Sequence, residues 1–430
     1  MSRFVIRGGR PISGRHRAAG NKNAALPMLA ACLLTQEPVT LRNLPLISDV
    51  RTMLELLQRM GADVQLDAEA HTVTVCAKRL RSTKLSKTLC GRVRSSILFA
   101  GPLLARCGSA TLYPPGGDVI GRRRIDTHIN GLAALGATIK ANGVYVFKAG
   151  AGLKGCRILL DEASVTATEN LMMAAVLASG TTELYNAACE PHIQDLGNML
   201  IAMGAEIEGL GTNRIIIRGV EKLHGTEREI GADYIDVGSY VVAALVTGGD
   251  LTIEGVSVAD FEVLEKPFQK LGAKWTIDRE KKTLHVPPQK NLETTYDFGK
   301  AIPKIDDGPW PMFPSDLLSV LIVLATQARG TTLFFEKMFE SRLYFVDHLI
   351  GMGARIVQCD PHRVVVTGYT KLSGSRVASP DIRAGMALLI AALCAKGETE
   401  ILNANSIDRG YESIDLELRR LGANIERLND

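Results

Sequence analysis

At 430 residues the chain is longer than a single hydrophobic core accommodates, so two domains of about 200 residues each are expected. Hydrophobic residues at 46% and charged residues at 22% exclude a fibrous or disordered chain, and 41 glycines point to many turns. A net charge of only +4 excludes a general nucleic-acid binder but not a local cationic site for small anions, which depends on where arginines cluster.

The chain opens on Met1-Ser-Arg-Phe-Val-Ile-Arg7, which lacks the apolar core of a signal peptide, and no apolar run reaches the roughly 18 residues that span a bilayer. A cytoplasmic protein without a membrane partner is expected. The eight cysteines, at 32, 76, 90, 107, 156, 189, 359 and 394, show neither a CxxC pair nor a metal-site spacing. Several lie in apolar runs, and all are expected as buried thiols in a reducing compartment. The eight histidines are equally scattered, so no metal is expected.

Along the chain one ending recurs: an amphipathic helix that stops at Gly-Ala and turns into a strand. It appears at Gly61, Gly136, Gly204, Gly272, Gly353 and Gly422. Glycine just past a helix takes the left-handed backbone that a sharp change of direction needs. Each copy also has an earlier half, an apolar helix followed by a turn and a short strand, as in Leu171-Met-Met-Ala-Ala-Val-Leu-Ala and Met386-Ala-Leu-Leu-Ile-Ala-Ala-Leu. Helices apolar almost all round belong in an interior. Runs such as His71-Thr-Val-Thr-Val, Ile215-Ile-Ile-Arg and Arg363-Val-Val-Val-Thr are β-branched strands. The unit is α/β with two helices and about four strands, and six units divide into two domains of three, helices inside and sheets outside.

Residues that break the repeat carry the chemistry. Lys22 and Asn23 open the first apolar helix after Asn21, Arg94 the second, Asp316 the fifth and Arg383 the sixth, while Arg342 and Arg409 follow strands of the fifth and sixth units. Helix starts offer free N–H groups and a partial positive charge, which suit phosphate. Pro114 to Asp126 adds Gly116, Gly117 and Gly121, the carboxylic acid Asp118, and the guanidiniums of Arg122, Arg123 and Arg124. Such a loop is an anion site with a proton donor attached. A solvated turn, surface ion pairs and helix caps are the plain alternatives for any one of these residues. Taken together, with Asp49, Asp118 and Asp316 near the cations, they suggest acid–base chemistry on a small, doubly anionic substrate.

Over essentially its whole length the chain resembles the enolpyruvyltransferases, on Gly20-Asn-Lys22-Asn23-Ala-Ala-Leu-Pro, Pro115-Gly-Gly-Asp-Val-Ile-Gly121, Phe313-Pro-Ser-Asp316 and Ile407-Asp-Arg-Gly-Tyr411. The resemblance implies a two-domain inverted α/β barrel of six βαβαββ repeats, three per domain, with the active site in the interdomain cleft. One domain would span 22–231 and carry loop 114–126; the other would take 1–21 and 232–430, with Arg3 to Arg7 pairing in the C-terminal half. The implied reaction moves the enolpyruvyl group of phosphoenolpyruvate to the 3-hydroxyl of UDP-N-acetylglucosamine and releases phosphate, the first committed step of peptidoglycan synthesis. It runs by addition and elimination, without cofactor or metal. Enolpyruvyl transfer to another uridine nucleotide or to shikimate 3-phosphate is the alternative, and an RNA-end-binding relative is a more distant one.

By the same resemblance Asp316 is the general base, Asp118 the proton donor and Lys22 a third catalytic residue. Lys22, Asn23, Arg123, Arg342, Arg383 and Arg409 would bind phosphoenolpyruvate. Arg94, Arg123, Arg124, Ile125, Asp126, Thr127, Glu162, Ala163, Ser164, Val165, Asp316 and Met338 would bind the nucleotide sugar. The chain departs from the usual pattern at five positions: Asp118 stands where cysteine is common, Glu162 where lysine is, Thr166 where glycine is, and Arg122 and Arg124 where a small residue and a proline are. A monomer or weak homo-oligomer is expected.

Overall fold

The computed structural model describes residues 2–121 and 123–429. They form two compact units. The first gathers the described residues of 1–19, 119–122 and 232–430, the second those of 20–118 and 123–231.

In the second unit the apolar helices lie inside. Lys22–Ala31 is buried at every position except Asn23, and Val165–Ala175 is buried from Ala167 onward. Three sheets belong to this unit. One runs Thr226–Glu229, Pro38–Arg42, Thr72–Cys76, Asp63–Asp67; the next Ser109–Leu112, Tyr145–Lys148, Thr138–Ala141; the third Glu206–Glu208, Arg214–Arg218, Thr181–Tyr185, Arg157–Leu159. The middle sheet has three named strands, because its parallel fourth is reduced to a single bridge between Lys84 and Thr111. Strand burial alternates, as in Arg214–Arg218, where Ile215 and Ile217 point inward.

Arg94 opens a 3-10 turn, Arg94–Phe99, that runs into the helix Ala100–Cys107, and not a single α-helix. Pro102 near that junction has no N–H to give to the Leu98 carbonyl, which accounts for the change of winding.

The first unit is built on Tyr234–Thr247, Ser315–Gln327 and Ile382–Cys394, three helices that pack on one another. Their sequences supply apolar side chains on all faces, so all three are interior. Sheets cover them. Gly14–Arg17 lies parallel to Leu251–Glu254, and Lys304–Asp306 parallel to Gly330–Phe335. In the last sheet Ser2–Arg7 lies between Glu398–Leu402 and Asn424–Asn429, antiparallel to both, with Phe4 opposite Arg427. The N-terminal strand therefore supplies the central strand that the sixth repeat lacks, and its expected pairing in the C-terminal half is observed.

All six repeat-ending glycines have φ between 80° and 105°. A side chain there would be strained, which explains why one residue type recurs at six equivalent positions. The expectation for cysteine is corrected: Cys32 and Cys90 are buried, but Cys107 and Cys359 are exposed. Cys107 ends a helix before Gly108, and Cys359 lies on the strand Arg355–Asp360, which alternates outward. No disulfide joins the described cysteines. Among the described residues no helix is long and apolar enough to cross a membrane.

Candidate active site

In the first unit three expected residues meet. Asp316 sits in the first turn of Ser315–Gln327 and Arg383 in that of Ile382–Cys394, where Asp381 caps the helix by accepting the Arg383 and Ala384 amides. Arg342 Nη2 donates to Asp316 Oδ1 at 2.8 Å and Arg383 Nη2 to Oδ2 at 3.0 Å. Both arginine side chains are almost wholly buried, at 4% and 6% exposure, while Asp316 keeps 27%. The carboxylate therefore faces outward across two interior cations.

Burial works against the Arg383 charge, but Asp316, Tyr411 and Asp233 hold it. The Arg383 guanidinium lies over the Tyr411 ring, whose hydroxyl pairs with Ser239 at 2.8 Å. Arg342 Nε is buried and meets no acceptor among the described residues. An unmatched buried donor costs about 1–3 kcal/mol, so a ligand oxygen there would be welcomed.

Arg409 ends the 3-10 turn Ala404–Arg409 and is half-buried. Met338 is 42% exposed in the segment after Gly330–Phe335. Residues 119–121 also belong to this unit: Ser341 N donates to the Ile120 carbonyl at 3.2 Å, and a Cβ on Gly121, whose φ is 127°, would lie 2.2 Å from Glu340 Oε2. Only glycine permits that approach.

The second unit holds the remaining expected residues. Asn21 caps Lys22–Ala31 through its side chain, and Lys22 Nζ pairs with Asp49 Oδ2 at 2.8 Å, both nearly buried. Asn23 is half-buried beside it. Asp118 is half-buried on irregular backbone. Arg94 Nη2 donates to the carbonyls of Arg123 at 2.8 Å and Arg124 at 2.9 Å, so it fixes the loop's return. Burial and the Arg123 charge bring Arg94 down to about 10. Arg122 lies outside the described residues.

Ile125 precedes the helix Asp126–Ala134, and Thr127 on its first turn donates to Asp161 Oδ1 at 2.6 Å. Glu162, Ala163 and Ser164 lead into Val165–Ala175, capped by the Ser164 hydroxyl. The Glu162 carboxyl is raised by burial and by Asp161 and Asp126, with Thr127 and Arg124 acting the other way. Arg124 itself is exposed and pairs loosely with Asp126 at 3.6 Å. Among the described residues no group of three or more His, Cys, Asp or Glu stands together as a metal site.

Residues 6–418 match the family model described as EPSP synthase (3-phosphoshikimate 1-carboxyvinyltransferase). The chain is 51% identical over 426 residues to the UDP-N-acetylglucosamine 1-carboxyvinyltransferase of Treponema denticola, covering 99% of each chain. It is 52% identical over 425 residues to the enzyme of that name from Treponema pallidum, again covering 99% of each. The chain belongs to the enolpyruvyltransferase family. Among solved structures, the enolpyruvyl transferase NikO of Streptomyces tendae matches with a TM-score of 0.88 at 24% identity, covering 100% of this chain and 99% of the other. EPSP synthase of Acinetobacter baumannii matches at 0.78 and 19% identity, covering 100% of both chains. At those identities the likeness establishes the two-domain, six-repeat α/β fold.

Several neighbours of the expected residues in this enolpyruvyltransferase escape sequence reasoning. Thr166 hydrogen-bonds His128 Nε2 at 3.0 Å, while Asn170, oriented by the Gly101 amide and the Ile97 carbonyl, donates to Nδ1. His128 is therefore the Nε2–H tautomer, and burial together with Arg94 pushes it down to about 3. The departure at Thr166 was the only signal for it. Arg427 grips Asp408, the neighbour of Arg409, with two 2.7 Å bonds, also reaches Asp415, and lies over the Phe4 ring.

Proposed function

We propose that this chain transfers the enolpyruvyl group of phosphoenolpyruvate to the 3-hydroxyl of UDP-N-acetylglucosamine, releasing phosphate. The relatives of that name, at about half identity over full length, support the acceptor. The observation that carries the chemistry is Asp316 held by two buried guanidiniums, one with an unmatched Nε. In this reading Asp316 takes the hydroxyl proton as the sugar oxygen attacks C2 of phosphoenolpyruvate. Asp118 supplies a proton to C3, and its return with loss of phosphate completes the addition–elimination.

Arg342 and Arg383 hold the substrate carboxylate; Lys22, Asn23, Arg123 and Arg409 hold the phosphate end. Arg94, Arg123 to Thr127, Glu162 to Val165 and Met338 meet the nucleotide sugar. The two units are read as the domains of repeats 1–3 (22–231, with loop 114–126) and 4–6 (1–21 and 232–430). The step is assigned to peptidoglycan synthesis in the cytoplasm, by a monomer or weak homo-oligomer.

The test is phosphate release from phosphoenolpyruvate by the purified chain, with and without UDP-N-acetylglucosamine, beside Asp316→Ala. Release that requires the nucleotide sugar and vanishes in the variant supports acceptor and base together. Release with shikimate 3-phosphate or another uridine nucleotide in its place overturns the acceptor.

A further inference from the structure

Beside the Asp316 group lies a pair of acids that the proposed chemistry does not use. Glu336 and Asp307 are both 0% exposed. They come from neighbouring parallel strands: Asp306 is in register with Phe335, so the next residue of each strand falls side by side.

The hydrogen bonds these acids accept come from the surrounding site. Glu336 takes the Ser315 hydroxyl at 2.8 and 3.0 Å and the amides of Met338 and Phe339 at 3.1 Å each. Asp307 Oδ1 takes the Lys337 amide at 2.5 Å. Two side chains thus gather three successive amides, fold the turn that leads to Arg342, and tie it to the helix start that carries Asp316. Asp307 Oδ2, however, receives no N–H or hydroxyl donor among the described residues. The Asp307 side chain is also in hydrogen-bonding contact with the Glu336 carboxyl. Two carboxylates at such contact repel, and neither can donate. One proton between them satisfies both.

We propose that Glu336 and Asp307 share a single proton and, as one acid pair, position Arg342 and Asp316 for the transfer reaction. They are positioning residues, and the inference rests on the roles proposed above for Arg342 and Asp316.

The charges around the pair agree with a retained proton. Burial, then Asp307, pushes the Glu336 carboxyl up to about 8, against the pull of Arg342 and the Ser315 hydroxyl. His362 Nδ1 donates to the Glu336 backbone carbonyl at 2.7 Å, and the Lys337 ammonium is occupied by Asp306. Above about pH 8 the pair becomes doubly charged and the turn is forced open. The stability consequence has a definite sign: with the folded value above the ordinary 4.5, the native state holds a proton that the unfolded chain has lost, so stability falls as pH rises from 4.5 to 8.

The experiment compares Glu336→Gln and Glu336→Ala with the wild type. Glutamine keeps two acceptor positions for the amides and gives Asp307 a permanent N–H donor. It is expected to retain most activity, to lose the fall in kcat above pH 8, and to melt higher at pH 7. Alanine is expected to lose about a hundredfold in kcat/KM for phosphoenolpyruvate, the order of loss from a small misplacement of reacting groups. Infrared difference spectra at pH 7 should show a protonated carboxyl band in the wild type that is missing from Glu336→Gln. That readout does not depend on the reaction assigned to the chain. Absence of the band overturns the proposal even if enolpyruvyl transfer is confirmed. So does a glutamine variant that keeps the alkaline fall or is as inactive as alanine.

Discussion

Asp316 Oδ1 lies 2.8 Å from Arg342 Nη2, and its other oxygen lies 3.0 Å from Arg383 Nη2. In the proposed reading, the carboxylate occupies the donors that an incoming substrate carboxylate would use. Substrate binding is therefore expected to take these guanidinium donors from Asp316 and release the carboxylate as an acceptor for the sugar hydroxyl proton. Asp316→Asn keeps the shape and removes the base, so kcat for phosphate release should drop by roughly 10²–10⁴-fold, the usual worth of a general base. Phosphoenolpyruvate affinity, measured by calorimetry, should be retained or strengthened, because the competing charge is gone. A kcat within a few-fold of wild type would remove Asp316 from the base role.

His16 is a buried cation in the same unit. Its Nε2 meets Asp236 Oδ2 at 2.8 Å, its Nδ1 meets Glu417 Oε1 at 2.6 Å, and the ring stacks on Tyr240 at 3.7 Å. Burial opposes the charge, yet Asp236 and Glu417 together lift the ring to about 9, and Glu417 is brought down to about 2 by His16 and Arg420 despite its own burial. A raised value means that the stabilisation is complete below the ordinary 6.5 and is lost as pH rises through 9. The Glu417 share is lost only as pH falls toward 2. Melting temperature should decline between pH 7 and 10 in the wild type. His16→Ala should flatten that decline and cost roughly 3–5 kcal/mol at pH 7, since it strands a buried acid.

The repeat was legible because it rests on backbone chemistry: a glycine past each helix and apolar residues on all sides of the interior helices leave marks in any one sequence. Helix-start residues were legible for the same reason, and two of them, Asp316 and Arg383, meet directly and are joined by Arg342 from the turn after a strand. What stayed hidden depends on partners far away in the chain. Glu336 reads as an ordinary acid after a strand, and only the register with Lys304–Asp306 reveals Asp307 beside it. Arg427 reads as one of three charged residues near the C-terminus until Asp408 is seen beneath it. Cys107 and Cys359 were misread because an apolar neighbourhood in sequence does not say which way a side chain points at a helix end or on an alternating strand.

Loop residue Asp118 leads to a pharmacological expectation. Alkylating epoxides of the fosfomycin kind need a thiolate, and a carboxylate at this position offers none. Turnover should resist such a compound, and Asp118→Cys should become sensitive while retaining phosphate release. The exposed Cys107 and Cys359 provide an internal control, since labelling there should leave activity unchanged. Rapid, stoichiometric inactivation of the wild type with the label on residues 114–126 would refute the assignment.

Arg409 has no regular helix to hold it; it ends a short 3-10 turn entered through Asn403 at φ 58°. What fixes its neighbour is Arg427, whose fork spans both oxygens of Asp408 and whose strand position is set by pairing with Phe4. A lysine keeps the charge but cannot make two parallel bonds, and so leaves the turn free to rotate. Arg427→Lys should raise KM for phosphoenolpyruvate about tenfold, or roughly 1.4 kcal/mol, with KM for the nucleotide sugar little changed. Arg427→Met, which keeps contact with the Phe4 ring but loses both acids, should raise it further. Were Arg427 only a surface brace, both variants would lower the melting temperature without separating the two KM values. Steady-state kinetics with each substrate varied in turn decides between them.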